Sequence, residues 1–163
     1  MKKLIVVNGP NGFGKSAVCR SLKGVLNHSI CLDGDWCWMM NPWIVNDENR
    51  AMVENNITYQ LRNFLTNSTF EHVIFSWVLH REEILQGLLK RLDDLEFDTQ
   101  TITLISSETA LRQRMEQDHR PEEQILSSIE RLCLYWNMRT TKIDTSSHGV
   151  DEVVEQMKLI ISQ

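Results

Sequence analysis

Short continuous apolar runs alternate along the whole chain with longer stretches in which apolar residues recur every three or four positions. Lys3-Leu-Ile-Val-Val-Asn8 is β-branched and unbroken, as a buried strand requires. Residues 17–26 then read as a helix, with Val18, Leu22, Val25 and Leu26 on one face. Residues 29–33 predict a second strand that ends in acid. Residues 47–66 predict a helix with Met52, Ile57, Leu61 and Leu65 inward. A third strand over 72–78 leads to a helix over 81–95, with Ile84, Leu85, Leu88, Leu89 and Leu92 inward. The fourth strand covers 99–105 and is followed by a helix over 108–117. Pro121, at home in a first helical turn, opens another helix that runs to about residue 137. A brief fifth strand at 141–144 and an amphipathic helix at 150–161 close the chain. With no linker, repeat or low-complexity stretch, this order predicts one α/β domain over residues 1–163, its parallel sheet covered on both faces. Ligands of such sheets sit at the carboxyl ends of the strands.

The turn after the first strand carries the clearest chemistry. Gly9-Pro-Asn-Gly-Phe-Gly-Lys-Ser16 fits the phosphate-cradling pattern G-x-x-x-x-G-K-[ST] without a gap, and it lies between a strand and a helix as that pattern requires. Backbone N–H groups of such a turn point inward and the helix dipole favours anions, so both act on a triphosphate. Gly9, Asn11, Gly12, Phe13, Gly14, Lys15, Ser16 and Ala17 are therefore the candidate nucleotide-binding set. Lys15 reaches the β/γ-phosphates and the Ser16 hydroxyl ligates Mg²⁺ in this scheme.

Composition narrows the setting. A chain of 163 residues, 42% hydrophobic and 24% charged, has the make-up of a globular domain. Its formal net charge of −5 gives no bulk attraction to a nucleic-acid backbone. No apolar run approaches the ~20 residues of a membrane span, and no signal-peptide pattern opens the sequence, so a cytoplasmic protein is expected. Cys19, Cys31, Cys37 and Cys133 form no C-x-x-C pair and no zinc-like spacing with the five histidines, so free thiols and no structural metal are expected.

Leu32-Asp33-Gly34-Asp35-Trp36 places two carboxylates just past the second strand, at the sheet edge that also holds the glycine-rich turn. Phosphoryl transfer needs a group to orient the acceptor hydroxyl and take its proton, and a carboxylate near the metal. Asp35 is the candidate base; Asp33 joins Ser16 as a candidate for the metal. Arg114 and Arg120, in a basic stretch before Pro121, are candidates for neutralising transition-state charge.

These residues together resemble the small-molecule and nucleotide kinases. The D-G-D is similar to that of gluconate and adenylylsulfate kinases, and the overall spacing to shikimate kinase and chloramphenicol phosphotransferase. The resemblance spans nearly the whole chain, with the glycine-rich loop its specific part. It implies the three-layer P-loop NTPase fold, a five-stranded parallel sheet in the order 2-3-1-4-5, a short lid around 118–123 and Mg-ATP as donor. By position it also implies Arg114 near adenine, Arg120 on the lid, Thr145 and Ser146 beside the base, and Arg131 on the acceptor or a phosphate. Two departures stand out. Ser76 occupies the third-strand position where many such proteins carry an acid, and the lid holds few arginines, which favours a small acceptor hydroxyl over a second nucleotide.

Trp36-Cys-Trp-Met-Met-Asn-Pro-Trp43 follows the D-G-D, and Trp77 ends the third strand. In this architecture Trp36 and Trp77 are candidates for an apolar acceptor wall, suited to an aromatic or amphipathic molecule such as an antibiotic or nucleoside, though each also suits core packing. The expected activity is an ATP-dependent kinase acting on a small-molecule hydroxyl, as a monomer or homodimer, without nucleic-acid or membrane partners. The alternatives are a regulatory nucleotide-binding NTPase and a kinase fold that binds ATP without turnover.

Overall fold

A computed structural model describes residues 1–163. Five parallel strands form the sheet: β1 (Lys3–Asn8), β2 (Ser29–Asp33), β3 (His72–Trp77), β4 (Asp98–Ile105) and β5 (Thr141–Asp144), in the spatial order β2-β3-β1-β4-β5. This is the expected order. β1 sits at the centre, with Ile5 opposite Ile74 on one side and Gln100 on the other.

The helices are α1 (Lys15–Val25), α2 (Asp47–Thr66), α3 (Glu82–Lys90), α4 (Glu108–Gln117), α5 (Glu122–Asn137) and α6 (Val150–Ile161), with a 3-10 turn over Gly34–Trp38. Alternation along β1 divides the core. Ile5 and Val7 face a cluster with Val18 and Leu22 of α1, Met115 of α4, Leu132 of α5 and Met157 of α6. Leu4 and Val6 face the opposite cluster, with Val53, Ile57 and Leu61 of α2 and Leu85 and Leu88 of α3. Both faces are thus covered, as parallel sheets require.

Several helix faces and ends differ from expectation. In α2 the buried residues are Val53, Ile57, Leu61 and Leu65, spaced by four, while Met52 is exposed. In α1 Cys19 rather than Val25 joins Val18 and Leu22; Val25 is exposed, while Leu26, four residues after Leu22, still packs against the same cluster. α3 stops at Lys90, and Leu92 is buried from the turn beyond it. α1 begins two residues earlier than the periodicity suggests, with Gly14 as its left-handed N-cap. No helix is long and apolar enough to cross a membrane.

Candidate active site

The ends of β1, β2 and β3 bring the chemistry to one edge. Three glycines of the loop after β1 hold positive φ: Gly9 at 149°, Gly12 at 87° and Gly14 at 67°. At Gly9 a side chain is excluded twice, by that φ and by the Leu104 carbonyl, which would lie 2.7 Å from a Cβ. The loop delivers Lys15 and Ser16 in the first turn of α1, where unpaired N–H groups and the dipole favour an anion. Below the loop, buried Asn8 donates from Nδ2 to the Leu79 carbonyl and accepts the Leu79 N–H, both at 2.8 Å. That pair ties the end of β1 to the segment leaving β3.

Asp33 closes the arrangement. Its Oδ2 accepts from the Ser16 hydroxyl at 2.9 Å and its Oδ1 from the Asp35 N–H at 3.0 Å, capping the 3-10 turn. The cap fixes where Asp35 stands. Asp35 lines a cleft of about 180 Å³ with Asn11, Gly12, Lys15, Ser16, Asp33, Ser76 and, from the α4–α5 connection, Asp118 and Arg120. Burial raises the Asp35 carboxyl above its usual range, with the Asp33 charge adding to the rise and Lys15, Trp77 and Arg120 opposing it. Lys15, whose ammonium donates to the Pro10 carbonyl at 2.9 Å, is lowered to about 8 by burial, against the pull of Asp35, Cys19 and Asp33. An acid raised and a lysine lowered across one small cleft is the pattern of a reactive site.

A second cavity of about 280 Å³ adjoins the loop, lined by Phe13, Val18, Arg114, Thr145, His148, Val150 and Val153 among others. Arg114 donates to the Thr145 hydroxyl at 2.9 Å and to the Thr145 carbonyl, and its guanidinium lies 5.8 Å from the Phe13 ring centroid. The two pockets meet at Gly12, Gly14 and Asp118. Arg112, by contrast, pairs with Glu116 and Glu122 on the surface.

The tryptophans divide. Trp77 is only 9% exposed, and its ring lies under Gly34, 2.5 Å from where a Cβ would stand. It underlies the turn that presents Asp35 rather than offering a free face to the cleft. Trp36 is exposed and lines a cavity beside α1 with Arg20, Lys23 and Cys31, which meets the Asp35 cleft at Ser16, Asp33 and Ser76. Trp38 is buried and stacks at 5.5 Å on exposed Trp43. Arg131 of α5 is exposed and lies close enough to His80 that its charge, with burial and Arg81, lowers the imidazole.

Residues 5–135 match the sequence profile of the family described as AAA domain. The chain belongs to that family. No curated protein matches the sequence significantly. Among solved structures, this AAA-domain chain is similar to a tunicamycin resistance protein from Deinococcus radiodurans, at 21% identity over 99% of this chain and 96% of the other, with a TM-score of 0.76. A gluconokinase from Sinorhizobium meliloti is 21% identical over 94% and 88% of the two chains, with a TM-score of 0.70. A shikimate kinase from Acinetobacter baumannii, solved with shikimate, is 20% identical over 99% and 94%, with a TM-score of 0.68. The fold is therefore the P-loop kinase fold.

Sequence reasoning missed Asn8 as the strut under the loop and Asp118 as a shared wall of both pockets. An amide ending an otherwise apolar strand was a signal for the first; nothing in the local pattern marks the second.

Proposed function

We propose that this chain transfers the γ-phosphoryl group of ATP to a hydroxyl of a small-molecule acceptor. The observation that carries the reading is the Ser16–Asp33–Asp35 linkage, in which one carboxylate joins the phosphate-binding helix to the turn that presents the candidate base. The Ser16 hydroxyl and Asp33 carboxylate are hard oxygen donors of the kind Mg²⁺ takes, with water and phosphate oxygens completing its shell. Bound there, the ion would neutralise charge on the β- and γ-phosphate oxygens.

In this mechanism Lys15 leaves the Pro10 carbonyl for the phosphates, and the amides of Gly12 through Ser16 hold them. Arg114 and Thr145 border the base, with Phe13 alongside. Asp35 accepts the proton of the acceptor hydroxyl as its oxygen attacks the γ-phosphorus and the bond to the β-phosphate oxygen breaks. Its raised pKa makes it a stronger proton acceptor than an ordinary carboxylate. Arg120 supplies positive charge from the lid side. Arg131, beside His80, faces the acceptor in this reading, and exposed Met39 and Trp43 offer an apolar surface to an aromatic or amphipathic one. Ser76, in place of an acid, leaves nothing on β3 to organise an attacking water, which disfavours a regulatory NTPase. An ADP-release assay over nucleosides, sugar acids, shikimate-like compounds and antibiotics tests the proposal; release that depends on one acceptor class supports it.

A further inference from the structure

The interface between α1 and β2 repeats itself one step below the metal-binding pair. Ser16 and Cys19 are three apart on α1, hence on one face; Asp33 and Cys31 are two apart on β2, hence on one side of the sheet. Ser16 meets Asp33 at 2.9 Å on the upper rung, and Cys19 and Cys31 line one cavity on the lower one. Cys19 is buried and Cys31 is partly buried. That cavity, of about 300 Å³, is also lined by Ser16, Asp33 and Ser76. A small neutral oxidant can therefore reach the pair from solvent, and whatever happens to it is felt at the metal pair above.

We propose that Cys19 and Cys31 form an oxidisable dithiol, a modification site that hydrogen peroxide converts to a disulfide linking α1 to β2. The Cys31 sulfur attacks the peroxide O–O bond and becomes a sulfenic acid, releasing water. The Cys19 sulfur then displaces the sulfenic oxygen as a second water and forms the S–S bond, so two thiols are oxidised and one peroxide reduced. A disulfide holds its sulfurs at about 2.0 Å, well inside non-bonded contact, so its formation pulls the second turn of α1 against β2. Ser16, one turn earlier, shifts relative to Asp33. Loss of Mg²⁺-dependent nucleotide binding is the consequence, a part of the inference that rests on the proposed function; disulfide formation does not.

The test treats the full chain with hydrogen peroxide, blocks remaining thiols with N-ethylmaleimide under denaturing conditions, and maps the cysteines by mass spectrometry. A linked Cys19–Cys31 peptide pair, two hydrogens lighter than the separate peptides and formed at peroxide doses that leave exposed Cys133 largely blocked by maleimide, is expected. Cys19→Ser should leave Cys31 as a sulfenic acid that dimedone traps; if that variant does not fold, Cys31→Ser should abolish the linked pair and leave Cys19 reduced. Free Cys19 and Cys31 at doses that oxidise Cys133 would overturn the proposal. MgADP binding, followed by calorimetry on the oxidised and reduced chain, should weaken at least about tenfold on oxidation and remain unchanged in Cys31→Ser. An intact disulfide without that loss would overturn the coupling to the metal pair while leaving the dithiol standing. No MgADP binding by the reduced chain would instead count against the proposed function.

Discussion

Gly34, between the two acidic residues, gives the sharpest mutational prediction. Its sequence context suggests a flexible turn, but its place in the fold is a contact. A Cβ there would lie 2.5, 2.6 and 2.9 Å from Cγ, Cδ1 and Cδ2 of Trp77. Carbon atoms rest at about 3.5–4.0 Å, so the indole must move by roughly 1 Å. It has little room, being 9% exposed and set against Phe75 at 6.2 Å. Overpacking of this kind costs about 1–3 kcal/mol. The stiffer unfolded chain of an alanine variant returns about 0.4–1 kcal/mol of that. The net loss is then roughly 0–2.6 kcal/mol with a centre of about 1.3 kcal/mol, which is about 3–5 °C in Tm for a domain of this size. Gly34→Ala should therefore melt several degrees early in a calorimetric scan. Trp77→Leu in the same chain removes the obstruction, so the double variant should be less destabilised than the sum of the singles. A Gly34→Ala variant melting within about 1 °C of the parent, or strict additivity with Trp77→Leu, would refute the reasoning.

Other outcomes follow from the same geometry. Asp35 works deprotonated and Lys15 protonated, so kcat/KM should fall in acid as the raised Asp35 carboxyl takes a proton, and fall in alkali near pH 8 as Lys15 loses one; a profile flat from about pH 7 to 9.5 would contradict the Lys15 assignment. Arg114→Ala removes both bonds to Thr145 and the cation over Phe13, and should weaken ATP binding about tenfold in a calorimetric titration with little change in acceptor KM. Asp33→Asn should raise the Mg²⁺ concentration needed for half-maximal activity, measured by titrating the metal at fixed ATP. Leu61→Ala, in the core face of α2, should lower stability by about 2–5 kcal/mol in urea unfolding and leave the Mg²⁺ requirement unchanged.

The strands and the glycine-rich loop were legible because their signals are local. A β-branched run before G-x-x-x-x-G-K-[ST] determines both the strand and the turn, and the resemblance to kinases carried the sheet order. Helix faces were less legible where two registers compete. Met52 and Val53 are neighbours, and only the sheet beneath α2 selects the four-residue spacing that buries Val53. The same holds for Cys19 and Val25 in α1. Asp33 and Asp35 could be named, but not the division of labour that puts Asp33 on both Ser16 and the turn N–H. Trp77 shows the limit most clearly. Its position at the end of β3 marked it for the cleft, yet its ring is covered by a glycine forty-three positions earlier in the chain.

The central claim is tested most directly by acceptor-dependent ADP release from the parent chain, Lys15→Ala and Asp35→Asn, with ATP binding measured on each. The account predicts release with one acceptor class in the parent, loss of both binding and transfer in Lys15→Ala, and loss of transfer with ATP binding intact in Asp35→Asn. Full transfer by Asp35→Asn, or no acceptor-dependent release by the parent with any class, would contradict it.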